Sequence, residues 1–156
     1  SLETDGTIAS PAYTQSSDPV FGTEYTFNTP VSSGTHLVVS SADSSGNASG
    51  TLVVLEDSAT NAGTIDNAGL ARFDIQSLNL DYAADANLTL TEAQFQQLSG
   101  TSDTLTISGG TDDSITLSNA TKTTETRDID GETYEVYTIG DDGAMVVVDQ
   151  DINVII

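Results

Sequence analysis

Seven aspartates stand where carboxylates could act together. They are Asp81 and Asp85 in Asp81-Tyr82-Ala83-Ala84-Asp85, Asp103 with Asp112 and Asp113, and Asp149 and Asp151 in Asp149-Gln150-Asp151. The chemistry that suits them is coordination of a hard cation, because Ca2+ draws about six to eight oxygen ligands from carboxylates, carbonyls and water. Composition points the same way. The chain holds 24 Asp and Glu against 3 Lys and Arg, and Asp outnumbers Glu 17 to 7. Short Asp side chains dominate where carboxylates must sit in tight loops. A net charge of −21 also opposes compaction unless bound cations or counter-ions offset it.

Each cluster has a plainer reading beside it. Asp130-Gly131 and Asp141-Asp142-Gly143 are explained by turn chemistry, since Asp-Gly favours two-residue hairpin turns. For Asp103, Asp112 and Asp113 the competitor is a set of solvated loop carboxylates. Asp81 and Asp85 are spaced to converge across a turn, and Asp149 and Asp151 to share one side of an extended strand, as at junctions between tandem domains. The EF-hand pattern is missing: Asp128-Ile129-Asp130-Gly131 begins like one but lacks the later acidic ligands.

Other chemistries lack their residues. With no Cys, disulfides, thiolate nucleophiles and zinc–thiolate sites are excluded, and the single His36 reads as a surface or edge residue at the start of a strand. The three basic residues, Arg72, Lys122 and Arg127, form no patch for phosphates, so nucleic acid and anionic membranes are disfavoured. No apolar run approaches the roughly 18 residues of a membrane-spanning helix. A carboxylate pair for glycoside hydrolysis is the one enzymatic arrangement the inventory permits, and 6% aromatics with three basic residues argue against a sugar cleft. The chain reads as non-enzymatic. Tyr134 and Tyr137 alternate on one strand, which places one in the core and the other at the surface.

The elements that must position these residues are mostly strands. Glu24-Tyr25-Thr26-Phe27-Asn28 alternates, and His36-Leu37-Val38-Val39-Ser40 with Thr51-Leu52-Val53-Val54-Leu55 reads as a hairpin across a mobile, turn-rich loop. Residues 71–82 alternate imperfectly, with a slip at Gln76-Ser77 that suits a bulge. Thr91-Glu92-Ala93-Gln94-Phe95-Gln96-Gln97-Leu98 predicts the one short helix, over about 91–99, capped by Thr91 and ended by Gly100. Thr104-Leu105-Thr106-Ile107-Ser108 and Ser114-Ile115-Thr116-Leu117-Ser118 read as a hairpin around Gly109-Gly110-Thr111-Asp112-Asp113, and a second hairpin turns at Asp130-Gly131. Regular strand spacing predicts an all-β, immunoglobulin-like antiparallel β-sandwich.

Four segments carry a family resemblance. They are Leu88-Thr89-Leu90-Thr91-Glu92-Ala93-Gln94-Phe95, Thr104 to Leu117, Ile129-Asp130-Gly131-Glu132-Thr133-Tyr134-Glu135-Val136-Tyr137 and Val146-Val147-Val148-Asp149. Together these resemble sequences of giant bacterial RTX surface adhesins exported by type I secretion, over residues 78–156. The resemblance implies an extracellular, calcium-stabilised scaffold domain that positions a ligand-binding neighbour in the same chain for cell adhesion or biofilm formation. The glycine-rich nonapeptide array is absent, so a β-roll is not expected. Residues 1–156 are expected to form one domain cut from a longer protein, with a possible division into 1–70 and 71–156. The competing reading is a ligand-binding module in its own right, taking cell-surface carbohydrate or peptide through residues 43–50 and 59–69.

Overall fold

Among the described residues the chain forms twelve strands, those around the core built on apolar residues, and a few local signals place the remaining elements. The computed structural model describes residues 1–2, 7–20, 22–31, 35–42, 44–46, 48–100 and 102–156, the side chains of 42 and 48 excepted. In chain order the strands are β1 (Tyr13–Asp18), β2 (Gly22–Phe27), β3 (Leu37–Ala42), β4 (Ala48–Val53), β5 (Ile75–Asn79), β6 (Asn87–Leu90), β7 (Thr104–Ser108), β8 (Ser114–Leu117), β9 (Ala120–Ile129), β10 (Glu132–Ile139), β11 (Ala144–Asp149) and β12 (Asn153–Ile155). A single α-turn, α1 (Asn61–Thr64), and a 3-10 helix (Ala68–Phe73) lie between β4 and β5, and helix α2 (Glu92–Ser99) lies between β6 and β7.

The strands form a mixed seven-stranded sheet in the order β3-β4-β5-β7-β11-β10-β9, a three-stranded sheet β12-β8-β6, and the separate hairpin β1-β2. The fold is thus mostly β with one short two-turn helix. Its interior differs from the expected antiparallel arrangement. The hairpins β1/β2, β3/β4 and β9/β10 and the pair β10/β11 are antiparallel, while β4/β5, β5/β7, β7/β11, β6/β8 and β8/β12 are all parallel.

These parallel pairs arise from a repeated unit: a strand in the large sheet, an acidic turn, and a strand in the small sheet. β5-turn-β6, β7-turn-β8 and β11-turn-β12 are three such arches. β4 with Thr60, which bridges Asn87 in parallel, makes a partial fourth. Leu52, Leu78, Ile107 and Val148 are register partners across the large sheet, and Leu88, Ile115 and Val154 across the small one. Val154 is partly buried and the other six are fully so. β7 and β8 therefore do not form the expected hairpin. In a hairpin two strands face each other through their backbones, whereas here each joins a different sheet and Leu105, Ile107, Ile115 and Leu117 meet in one core. Strands buried in parallel sheets run near-continuously apolar, as Met145-Val146-Val147-Val148 does.

Excursions interrupt the stack. α2 carries a capping box: the Gln94 N–H donates to Thr91 Oγ1 at 3.3 Å, and the Gln94 side chain reaches back to Thr91. Too short to persist alone, it docks through buried Phe95 and Leu98. β9 and β10 turn at Asp130 (φ 56°) and Gly131 (φ 93°), the positive pair that a two-residue hairpin turn requires. The expected bulge also occurs: Gly50 faces Ile75 and Thr51 faces Ser77, leaving Gln76 unpaired. The 71–74 part of the expected bent strand is instead 3-10 helix ending at left-handed Asp74. β3 and β4 pair as a hairpin, though positions 43 and 47 of its loop lie outside the described residues.

Candidate functional site

The arch turns gather most of the candidate aspartates on one side of the fold, because each follows a large-sheet strand in parallel register. Asp81 and Asp85 lie in the β5–β6 turn, Asp112 and Asp113 in the β7–β8 turn, and Asp149 and Asp151 at the β11–β12 turn; Glu56 and Asp57 occupy the matching position after β4. Asp103 is not among them. It precedes β7, a strand length of about 16 Å from the turn that follows, and its carbonyl accepts the Met145 N–H at 2.8 Å. The register that was open in the sequence therefore separates Asp103 from Asp112 and Asp113.

Asp113 is the buried member, 2% exposed. Its Oδ1 accepts the Ala86 N–H at 3.0 Å from the preceding arch, and its Oδ2 accepts the Gly110 N–H at 2.9 Å in its own turn. Its carbonyl accepts the Asn153 N–H at 3.0 Å from the following arch. Burial pushes the carboxyl above its ordinary range, the two amides oppose that rise, and the charges of Asp112 and Asp81 add to it. Gly109 leaves room for this carboxylate, since a Cβ there would stand 2.6 Å from Oδ2.

Asp149 is also buried, but not on an extended D-x-D strand. It closes β11, and its Oδ1 accepts the Asp151 N–H at 3.1 Å, so the segment is an Asx-type turn with Asp151 exposed. Its register partner Tyr134 is held above the ordinary phenol range by burial first, with Asp149 and Asp81 adding to it. Asp81 accepts from the Asn79 side chain at 3.0 Å, and Asp85 takes a left-handed backbone (φ 61°). Asp81, Asp85, Asp112 and Asp151 are exposed.

This donor set does not fit a preformed calcium cage. Among the described residues no three acidic or histidine side chains come together as a coordinating group. Both oxygens of Asp113 and one of Asp149 are already engaged by backbone amides. What the turns do present is a row of exposed carboxylates on successive arches.

Three other expectations change. His36 is buried, at 1% exposed, because Leu2 pairs with its backbone on one side while its Nδ1 accepts the Leu55 N–H at 3.2 Å. Its Nε2 lies 3.8 Å from the Glu56 carboxylate. Burial lowers its pKa and Glu56 partly restores it. Tyr134 and Tyr137 occupy opposite faces as expected, yet both are buried: Tyr137 joins the main core, and Tyr134 a second cluster with Val136 and Val147. Residues 59–69 are not all loop: they hold α1 and the start of the 3-10 helix, and Asn61 accepts the Thr89 N–H at 2.7 Å and donates to the Thr89 carbonyl, while 60, 62, 63, 66 and 68 stay exposed.

One concavity was missed in the sequence. A cleft of about 550 Å³ opens between β3, the β1–β2 hairpin and the residues before it, with Tyr13, Tyr25, Arg72 and Phe73 in its lining. The tyrosine rings meet edge to face, 5.4 Å apart, and the Arg72 guanidinium lies 4.7 Å from the Phe73 ring centroid. Its residues come from five separate stretches of the chain, so no local motif marks it. Comparison with protein-family models, curated proteins and solved structures returned no match for this chain.

Proposed function

We propose that the chain is a non-catalytic scaffold domain of a bacterial cell-surface adhesin, which positions a neighbouring ligand-binding domain of the same protein. In this reading divalent cations, Ca2+ foremost, stabilise it. The observation that carries the reading is the row of acidic turns on stacked arches. Parallel arches make a stiff, shape-holding body, and a net charge of −21 places many like charges close together on it. In this reading Ca2+, keeping most of its water shell, is drawn to the exposed carboxylates of neighbouring turns two at a time, Asp81 with Asp112 or Asp112 with Asp151, and offsets that repulsion. The sandwich is the finer part of the proposal: two sheets face one core, and their parallel arches set it apart from the antiparallel pairing of an immunoglobulin-like domain.

Thermal unfolding in EDTA and across a Ca2+ titration, with Mg2+ and NaCl in parallel, tests it. A cation that binds only the folded state adds about 2.7 kcal/mol at a hundredfold excess over its Kd. The expected result is a rise in Tm with millimolar Ca2+ that exceeds the rise with Mg2+ and with NaCl of equal ionic strength. An equal response to all three reduces the effect to charge screening and removes bound Ca2+ from the account.

A further inference from the structure

The pairing of β3 with β4 runs up to Leu37 and Val53. Just beyond it, the Val54 N–H turns the other way and donates to the Asn79 carbonyl at 2.9 Å. Backbone groups alternate in direction along an extended chain, so the Leu55 N–H points back to the β3 side. The imidazole of His36 takes it: Nδ1 accepts that N–H at 3.2 Å and adds one bond to the end of the ladder. The backbone of His36 is meanwhile bonded to Leu2, its N–H donating to the Leu2 carbonyl at 3.0 Å and its carbonyl accepting the Leu2 N–H at 2.7 Å. One residue thus joins three stretches of chain: residues 1–2, the start of β3 and the residues after β4.

The bond to Leu55 fixes where the ring holds its protons. An accepting nitrogen is bare, so the neutral imidazole carries its one proton on Nε2. Nε2 is buried and has no hydrogen-bond partner among the described residues; the Glu56 carboxylate stands 3.8 Å away, beyond hydrogen-bond reach. A metal ion does not suit this nitrogen, because binding it would strip the Nε2 proton while Nδ1 also stays bare. A second proton does not suit the closed ring either. It must go on Nδ1, where it meets the Leu55 N–H, donor against donor.

The charges around the ring are one-sided. Glu56 favours the charged imidazole, while burial, the larger effect, opposes it. Asp57 faces elsewhere, its Oδ1 accepting the Ala84 N–H at 3.1 Å from the β5–β6 turn. Leu2 brings no titratable side chain, and neither does α1, whose Gly63 lies beside the Glu56 carboxylate.

We propose that His36 is a proton-operated latch: neutral, it closes the end of the β3–β4 ladder on Leu55, and doubly protonated, it releases Leu55 and turns its Nε2–H to Glu56, loosening residues 1–2 and the segment after β4 while the arches stay folded. The closed form excludes the second proton, so the latch is shut above about pH 6.5, the ordinary imidazole value, and opens as pH falls below it. None of the aspartates of the cation reading takes part, and the inference stands apart from that reading.

The test is an NMR titration of the whole chain from about pH 8 to about pH 4, which spans the ordinary imidazole value. At the start the ring's 15N shifts should report the Nε2–H tautomer. As pH falls, the imidazole and the amides of Leu55, His36 and Leu2 should shift along one curve with its midpoint below about 6.5, while the amides of Ile107 and Val148 keep their positions. Glu56→Gln removes the attracting charge and should move that midpoint to lower pH. His36→Asn offers Leu55 an oxygen that cannot titrate, and should hold the Leu55 amide still across the range. An Nδ1–H tautomer, a Leu55 amide that ignores the titration of the ring, or a transition in which Ile107 and Val148 move together with Leu55 overturns the proposal. The titration of the parent chain decides the matter even where a variant fails to fold.

Discussion

The carboxylate of Asp113 accepts the backbone N–H of Ala86 at 3.0 Å, so a side chain in one arch turn completes the backbone of the arch before it. With Gly110 bonded to its other oxygen and Asn153 to its carbonyl, Asp113 joins three successive arches.

Truncating it should be costly. Asp113→Ala leaves two amides unsatisfied in a buried turn and should lower stability by about 2–4 kcal/mol. Asp113→Asn keeps one acceptor oxygen but turns an NH2 toward the second amide, for a loss of about 1–2 kcal/mol. Urea unfolding at constant m-value measures both, and a loss below about 0.5 kcal/mol for the alanine variant would show that this carboxylate does not tie the arches.

Gly109→Ala should disturb the same point by crowding. A Cβ there meets Asp113 Oδ2 at 2.6 Å and both Ile152 and Leu80 at 3.1 Å, contacts that overpacking makes destabilising by about 1–3 kcal/mol. In a double-mutant cycle with Asp113→Ala part of that penalty should vanish, whereas strict additivity would place the crowding elsewhere.

Two buried titratable groups should pull stability in opposite directions. Burial holds His36 below its ordinary value, near 6.5 in the unfolded chain, so its contribution is complete above about pH 6.5 and is lost as pH falls through the folded pKa. His36→Asn offers Leu55 an amide oxygen and cannot titrate; its stability should fall less steeply with acid than the parent's. The Asp113 carboxyl is raised, so its contribution is present below about pH 4 and is lost as pH rises through its folded pKa. The deficit of Asp113→Ala relative to the parent should accordingly narrow as pH rises through that window. Chemical denaturation at intervals from pH 3 to 8 reads both slopes, and parallel curves for parent and variants would remove these groups as the cause.

Thr91→Ala removes the hydroxyl that accepts the Gln94 N–H and should cost about 1 kcal/mol in urea unfolding. Thr91→Ser, which can restore the cap, should recover most of it. Equal losses in both variants would mean that docking of Phe95 and Leu98, not the cap, decides whether α2 forms.

What the sequence made legible was local. The α2 cap, the Asp130-Gly131 turn and the slip at Gln76 each depend on neighbours a few residues away, and each lies where the residue types place it. The parallel interior was hidden because an alternating strand, a glycine- and aspartate-rich turn and another alternating strand describe a hairpin and an arch equally well. The recurrence of Leu78-Asn79-Leu80 before Leu88-Thr89-Leu90, Leu105-Thr106-Ile107 before Ile115-Thr116-Leu117, and Val146-Val147-Val148 before Val154 was the available signal. His36 could not be placed from its own segment, since its burial depends on Leu2, far away in the chain. The cleft depends on the same kind of distant pairing. Of the seven candidate aspartates, the common side of six follows from the stacking, which no spacing within one cluster reveals.

Stacking in register also ties distant parts of the chain together. Leu78 meets Ile107, and Ile107 meets Val148, each about thirty to forty residues further on, with α2 or the β9–β10 hairpin spooled out in between. Each rung must close a loop of that length before its contacts form, which makes such parallel pairing intrinsically slow. A break at a middle rung would leave two half-stacks, each with a newly bared edge.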